Sequence, residues 1–173
     1  MNLIITCARH LESETKQEVT DILEKIGDME PRVTITNMSG ILTVETKLDS
    51  IVVVKKIREM LLDEPWIIRY CLRIIPIQKV TETEMNSIED GISGLIELIS
   101  NNESYRISVE KRNSNISSQE LISRIAKKIK NKVSLEFPDK IILIEILGNK
   151  TGIAIIKKMD VLSVEKTKRS ISE

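Results

Sequence analysis

The chain has almost no aromatic residues. Among its 173 residues the only rings of this kind are Trp66, Tyr70, Tyr105 and Phe137. Many single-strand RNA binders stack bases on several exposed aromatics. Such a platform cannot be built here, so any RNA contact must rest on phosphates, 2′-hydroxyls and shape. Histidine is rarer still. His10 stands alone beside Arg9 at a predicted strand end, which reads as a turn residue because general acid-base work needs partner groups. The two cysteines, Cys7 and Cys71, have no His or Cys neighbour at metal spacing. They fit a reducing cytoplasm as small buried hydrophobes.

The familiar chemical signatures are missing too. There is no CxxC pair and no HExxH, so no metal site is signalled. There is no P-loop or GxGxxG, hence no nucleotide cofactor motif, and no Gly-x-Ser-x-Gly elbow. The sequence therefore calls for no catalytic residue and no cofactor. No run of about 18 apolar residues exists, so no membrane span is expected. The start MNLIITCARH lacks a basic lead and a long apolar run, so it does not read as a signal peptide. A cytoplasmic location is expected.

What is present is charge, unevenly spread. The formal net charge is zero, with 26 Lys+Arg against 26 Asp+Glu. Residues 1–104 hold 11 cations and 18 anions (11 − 18 = −7), and residues 105–173 hold 15 and 8 (15 − 8 = +7). Such asymmetry points to nucleic acid on the basic part; two merely solvated surfaces are the alternative.

Hydrophobic periodicity orders the first part as β-α-β-β-α-β. LIITC is a short apolar strand, followed by a helix over about 13–26 with Val19, Ile22, Leu23 and Ile26 at i, i+3, i+4 and i+7. Two β-branched runs, 31–37 and 40–46, flank a turn at Ser39-Gly40. SIVVVKKIREMLL could be strand, but Val53, Val54, Ile57 and Leu61 form a helical stripe, Asp49 or Ser50 can cap it, and Pro65 ends it. Residues 66–77 close the unit as a strand. This order is the ferredoxin-like split βαβ, which alone implies no function.

After a polar connector, 79–84, a helix is expected over 84–100, with Gly91 and Gly94 as weak spots off its apolar stripe. Then come a strand over 105–111, a helix from Ser117 or Ser118 to about 131, an apolar strand over 141–147, a hairpin turn over 148–152, and a return strand over 153–158. Residues 159–173 are read as an edge strand or a basic tail. The expected fold class is α+β: a ferredoxin-like split βαβ domain over 1–78, then an α/β domain over 79–173.

The candidate site gathers basic groups. Lys111, Arg112 and Asn113 end one strand just before a helix N-terminus, where free N–H groups and the dipole favour anions. Ser114, Ser117 and Ser118 add hydroxyls. Together they suit a phosphate cradle; an ordinary capped helix with a basic loop is the plainer alternative. Lys111 and Arg112 should be exposed, so their removal should cost little stability. Lys127, Lys128, Lys130 and Lys132 fall in the last turns of the expected helix, where the dipole alone can account for cations. Arg124, Lys157 and Lys158 are further candidates for the basic surface. Arg69 and Arg73 are two more, because strand alternation would set them on one face with Cys71.

The stretch YRISVEKRNSN, the helix SSQELISRIAKKI and the hairpin KIILIEILGNKTGIAII together resemble the THUMP domain. The first part resembles the ferredoxin-like domain that precedes THUMP in several RNA-modifying proteins. The resemblance spans nearly the whole chain and is nearest to stand-alone THUMP proteins of the tRNA acetylation adaptor type. It implies tRNA as partner, held at the acceptor stem and 3′ end by both domains, and a separate RNA acetyltransferase that makes N4-acetylcytidine. A subunit of another tRNA-modifying enzyme, such as a methyltransferase, and a protein–protein module without RNA are the alternatives.

Overall fold

The computed structural model describes residues 1–173. The chain is α+β and divides into two units, Met1–Ile77 with Met159–Glu173, and Gln78–Lys158.

In the first unit, β1 (Leu3–Cys7), β2 (Arg32–Ile35), β3 (Ile41–Glu45) and β4 (Cys71–Pro76) form an antiparallel sheet in the order β2-β3-β1-β4. This is the ferredoxin-like order. Helices α1 (Glu12–Lys25) and α2 (Ser50–Asp63) cover one face. Val19, Ile22 and Leu23 of α1, and Val53, Val54, Ile57 and Leu61 of α2, pack on Leu3, Ile5, Leu42, Val44 and Ile74. The helical reading of SIVVVKKIREMLL holds because Asp49 caps it, accepting from the backbone N–H of Ile51 and Val52, each at 3.0 Å.

Three expectations change in this unit. The strand expected over 66–77 begins only at Cys71. Pro65–Ile67 form a single 3₁₀ turn instead, and Glu18 on α1 accepts the backbone N–H of Arg69, Tyr70 and Cys71 at 2.7, 3.2 and 2.9 Å. Those donors are thereby withheld from a ladder. Second, the β1–β4 register shifts between Thr6 and Cys7, where Thr6 faces Arg73 and Cys7 faces Cys71. This bulge re-aims the strand. Cys71 and Ile74 both enter the core, and Arg73 falls on the other face from Cys71. Third, residues 159–173 are neither a tail nor part of the second unit. Their strand β9 (Leu162–Ser163) pairs with β4, and helix α5 (Val164–Ser172) follows. Leu162 and Val164 are buried in the first unit's core. Arg58 donates to the Val161 carbonyl at 3.1 Å, and Lys168 to that of Ile68 at 2.6 Å.

The second unit is a four-stranded sheet, β5-β8-β7-β6. β6 (Tyr105–Arg112) and β7 (Lys140–Leu147) are parallel and joined through α4 (Ser118–Ala126); β8 (Lys150–Ile156) returns antiparallel beside β7. The polar connector proves to be strand β5 (Lys79–Glu82), paired with β8. The expected long helix is shorter, α3 (Met85–Ser93), with a 3₁₀ turn at Ile96–Leu98. Gly91 is not a weak spot but a close approach. A Cβ there would lie 2.8 Å from both Ile153 Cδ1 and Thr81 Cγ2, so hydrogen at that position lets α3 lie on β5 and β8.

Candidate nucleic-acid interface

The turn after β6 is built from its own polar groups. Asn113 adopts φ 54°, in the left-handed region that Asn tolerates better than most residues. The Ser114 hydroxyl accepts from the Ile116 N–H at 3.2 Å, and the Ser117 hydroxyl caps α4 by accepting from the Glu120 N–H at 3.2 Å. Lys111 spends one ammonium proton on the Ile116 carbonyl at 2.8 Å. Ser118 opens α4, and Glu120 puts a carboxylate in its first turn. The turn is thus closed on itself, and the anion-favouring end of α4 already carries an anion.

Arg112 is also committed. Its Nη1 lies 3.4 Å from Oε2 of Glu145, a residue of the interior strand β7 that is only 1% exposed. β6 and β7 place Glu110 opposite Glu145 and Arg112 opposite Leu147, so this ion pair runs diagonally across adjacent strands. Arg112 is therefore half-buried rather than a free end, and removing it leaves a buried carboxylate short of a cation. The expectation that its loss costs little stability does not fit this geometry.

Arg124 shows the same pattern more strongly. Its Nε and Nη2 donate to the two oxygens of Glu89 on α3 at 3.1 and 2.6 Å, and Nη2 also reaches Asn86 Oδ1 at 2.7 Å. Lys128 Nζ lies 3.7 Å from the same carboxylate. Glu89 is 5% exposed, so these cations serve first to neutralise a buried charge between two helices.

Of the lysines after Ile125, Lys127 and Lys128 sit at the end of α4, and Lys130 and Lys132 lie beyond it. α4 ends at Ala126, with Lys127 as its cap, and the chain runs on without helix to β7. Backbone and side-chain ties hold this segment. Asn131 Nδ2 donates to the carbonyls of Ser100 and Glu103 at 2.8 and 3.0 Å. Tyr105 donates its N–H to the Lys132 carbonyl at 3.0 Å, and its own carbonyl accepts from the Ser134 N–H at 2.9 Å. Arg106 reaches the Leu135 carbonyl at 3.0 Å. Lys127, Lys128 and Lys132 lie on this surface with Lys130, and of the four only Lys128 enters an ion pair. On the same segment Leu135 and Phe137 stand 72% and 84% exposed. Sequence reasoning passes over these two; an apolar pair in a Pro-containing crossover, off any helical stripe, is the signal that could have found them.

The remaining candidates scatter. Lys157 and Lys158 follow β8 and are exposed. In the first unit Arg69 is exposed in a bend, its guanidinium carbon 5.8 Å from the Tyr70 ring centroid; Arg73 is half-buried on β4. The charge split also looks different once the units are known. The first unit has 13 cations and 15 anions (13 − 15 = −2), the second 13 and 11 (13 − 11 = +2). The excess of positive charge is therefore local to the later elements of the second unit.

Residues 82–156, which fall within the second unit, match the THUMP domain model. No curated protein matches the sequence. Among solved structures, the chain is similar to PH1313 from Pyrococcus horikoshii Ot3, with TM-score 0.60 and 16% identity over 91% of this chain and 55% of that one. It is similar to a predicted N6-adenine-specific DNA methylase from Listeria monocytogenes str. 4b F2365, with TM-score 0.53 and 12% identity over 90% of this chain and 40% of that one. It is similar, too, to a 4-thiouridine synthetase in complex with RNA and bound ATP, with TM-score 0.51 and 12% identity over 91% and 42%. At these identities the likeness is one of fold. The chain spans about half the length, or less, of these structures.

Proposed function

We propose that this chain is a non-catalytic adaptor that binds tRNA and presents it to a separate acetyltransferase for N4-acetylcytidine formation. One observation carries the tRNA part of this reading. A THUMP domain holds, on the crossover from α4 to β7, three lysines that neutralise no carboxylate of their own fold, Lys127, Lys130 and Lys132. Cations without an internal partner are the ones able to displace counterions from a phosphate backbone. Leu135 and Phe137 would add apolar contact to a ribose or an unpaired base near the 3′ end. Lys111, with two ammonium protons to spare, is a secondary contact. Arg112 and Arg124 act as structural cations whose outer edges face a ligand at most. The RNA-bound 4-thiouridine synthetase of similar fold supports an RNA ligand.

The acetyltransferase follows from the sequence resemblance. A second reading, an RNA-binding subunit serving a methyltransferase, has the methylase of similar fold in its favour. One experiment separates them. Purified chain, candidate acetyltransferase, both together, and the chain with the proteins that co-purify with it are incubated with tRNA, acetyl-coenzyme A and a methyl donor, and nucleosides are then quantified by mass spectrometry. Acetylcytidine should form only in the mixture. Its formation by the rigorously purified chain alone overturns the adaptor reading, and its absence from the mixture, with methylation by a co-purifying enzyme, favours the second.

A further inference from the structure

On the first unit, α1 and the segment 64–70 border an open groove of about 540 Å³. Glu14, Glu18 and Asp21 stand at i, i+4 and i+7 on one face of α1, so they line a single wall. Glu64, Trp66, Ile67 and Tyr70 line the other, and Lys25 is the one cation of the lining, against four carboxylates. The carboxylates are unequal. Glu18 is consumed by the three backbone N–H groups of Arg69, Tyr70 and Cys71 and thereby fixes the second wall against the helix. Asp21 accepts from the Gln17 amide at 2.8 Å. Glu14, Asp21 and Glu64 are exposed, and none has a Lys or Arg nitrogen within 4.0 Å. Among them Trp66, the one tryptophan of the chain, lies 69% exposed.

We propose that this groove docks a segment of a partner protein rich in arginine or lysine. The occupant follows from charge complementarity joined to an aromatic wall. A long cationic side chain lays its methylenes along an indole or phenol and carries its head to a carboxylate. Within the chain the Arg69 guanidinium already lies 5.8 Å from the Tyr70 ring centroid. Glu14 and Asp21 are separated by seven residues of helix, roughly 10 Å, which matches cations two turns apart on a helix or three residues apart on an extended strand. Phosphates are disfavoured by the same carboxylates. The surface is thus suited to a protein and not to RNA, and the inference stands independently of the tRNA reading.

Because Trp66 is the sole tryptophan, its fluorescence reports on the groove alone. The full chain is titrated with a capped peptide of repeating Arg-Arg-Leu triplets, and in parallel with a Glu-Glu-Leu control and with tRNA. The basic peptide should shift the emission of Trp66 to shorter wavelength and shield it from acrylamide; the control and tRNA should not. Glu14→Gln, Asp21→Asn and Glu64→Gln combined should weaken the peptide about tenfold or more, the equivalent of one good charge pair, with melting and tRNA affinity unchanged. Unaltered Trp66 emission at peptide saturation, equal peptide affinity of the triple variant, or shielding of Trp66 by tRNA overturns the proposal. A loss of tRNA binding by lysine variants of the second unit bears on the tRNA reading and leaves this one untouched.

Discussion

Arg124 and Glu89 join α4 to α3 through two hydrogen bonds, at 3.1 and 2.6 Å, onto both oxygens of a buried carboxylate. The pair fixes one prediction. Arg124→Ala strands a buried anion with only Lys128 at 3.7 Å to compensate, so it should cost about 2–3 kcal/mol in urea unfolding, less than a fully buried pair because Arg124 is part-exposed. Arg124→Lys should recover part of that. Arg112→Ala should also destabilise, through Glu145. Loss of RNA affinity in either alanine variant then has to be judged against its stability, and wild-type stability of Arg124→Ala contradicts the structural role.

Gly91→Ala should destabilise by about 1–2 kcal/mol, since the new methyl meets Ile153 and Thr81 at 2.8 Å and must push a packed helix off its sheet. Gly94→Ala is the contrast. Its φ is −67°, and the nearest obstacle is the flexible tip of Lys79 at 3.3 Å. Thermal melting of the two variants should move in opposite directions, or leave Gly94→Ala unchanged, by the backbone-entropy argument.

Acid should weaken the first unit through Asp28. The Thr46 hydroxyl, donating at 2.5 Å, holds this buried carboxyl below its ordinary range, with the N–H groups of Glu30 and Lys47 assisting. The backbone N–H of Gly40, donating to Glu12 at 2.8 Å, depresses that carboxyl likewise. A depressed folded pKa contributes stability that is complete above the unfolded value, about 3.9 for Asp, and is lost as pH falls through the folded one. The stability gap between wild type and Asp28→Asn should therefore be full at pH 6 and shrink below about pH 4. A gap independent of pH across that range sinks the assignment.

The elements with strong apolar periodicity were legible: α1, α2, β6, β7 and the split βαβ order all follow from side-chain spacing. What stayed hidden depended on distant partners. β5 reads as a linker because Lys79, Val80 and Glu82 are exposed, and only pairing with β8 makes it a strand. α4 stops at Ala126 although Ile129 continues its stripe. Arg112 and Arg124 looked like free cations because Glu145 and Glu89 lie 33 and 35 residues away, beyond any local pattern. The lysines of the crossover were visible in the sequence, but a helix assigned too long put Lys130 and Lys132 in its last turns, whereas only Lys127 and Lys128 sit at the C-terminal end that α4 has.

The tRNA reading turns on whether the crossover after α4 grips the nucleic acid, chiefly through its phosphates. The direct measurement is tRNA affinity over a series of salt concentrations for the wild-type chain, for Lys127→Ala with Lys130→Ala and Lys132→Ala, and for Lys111→Ala. The wild type should bind with strong salt dependence. In the triple variant the slope of log affinity against log salt should shrink by about 0.7–0.9 for each phosphate that is no longer neutralised. Its stability should stay within about 0.5 kcal/mol of wild type. Lys111→Ala should change the slope by no more than a single such step. A triple variant that binds with the wild-type affinity and slope contradicts the reading.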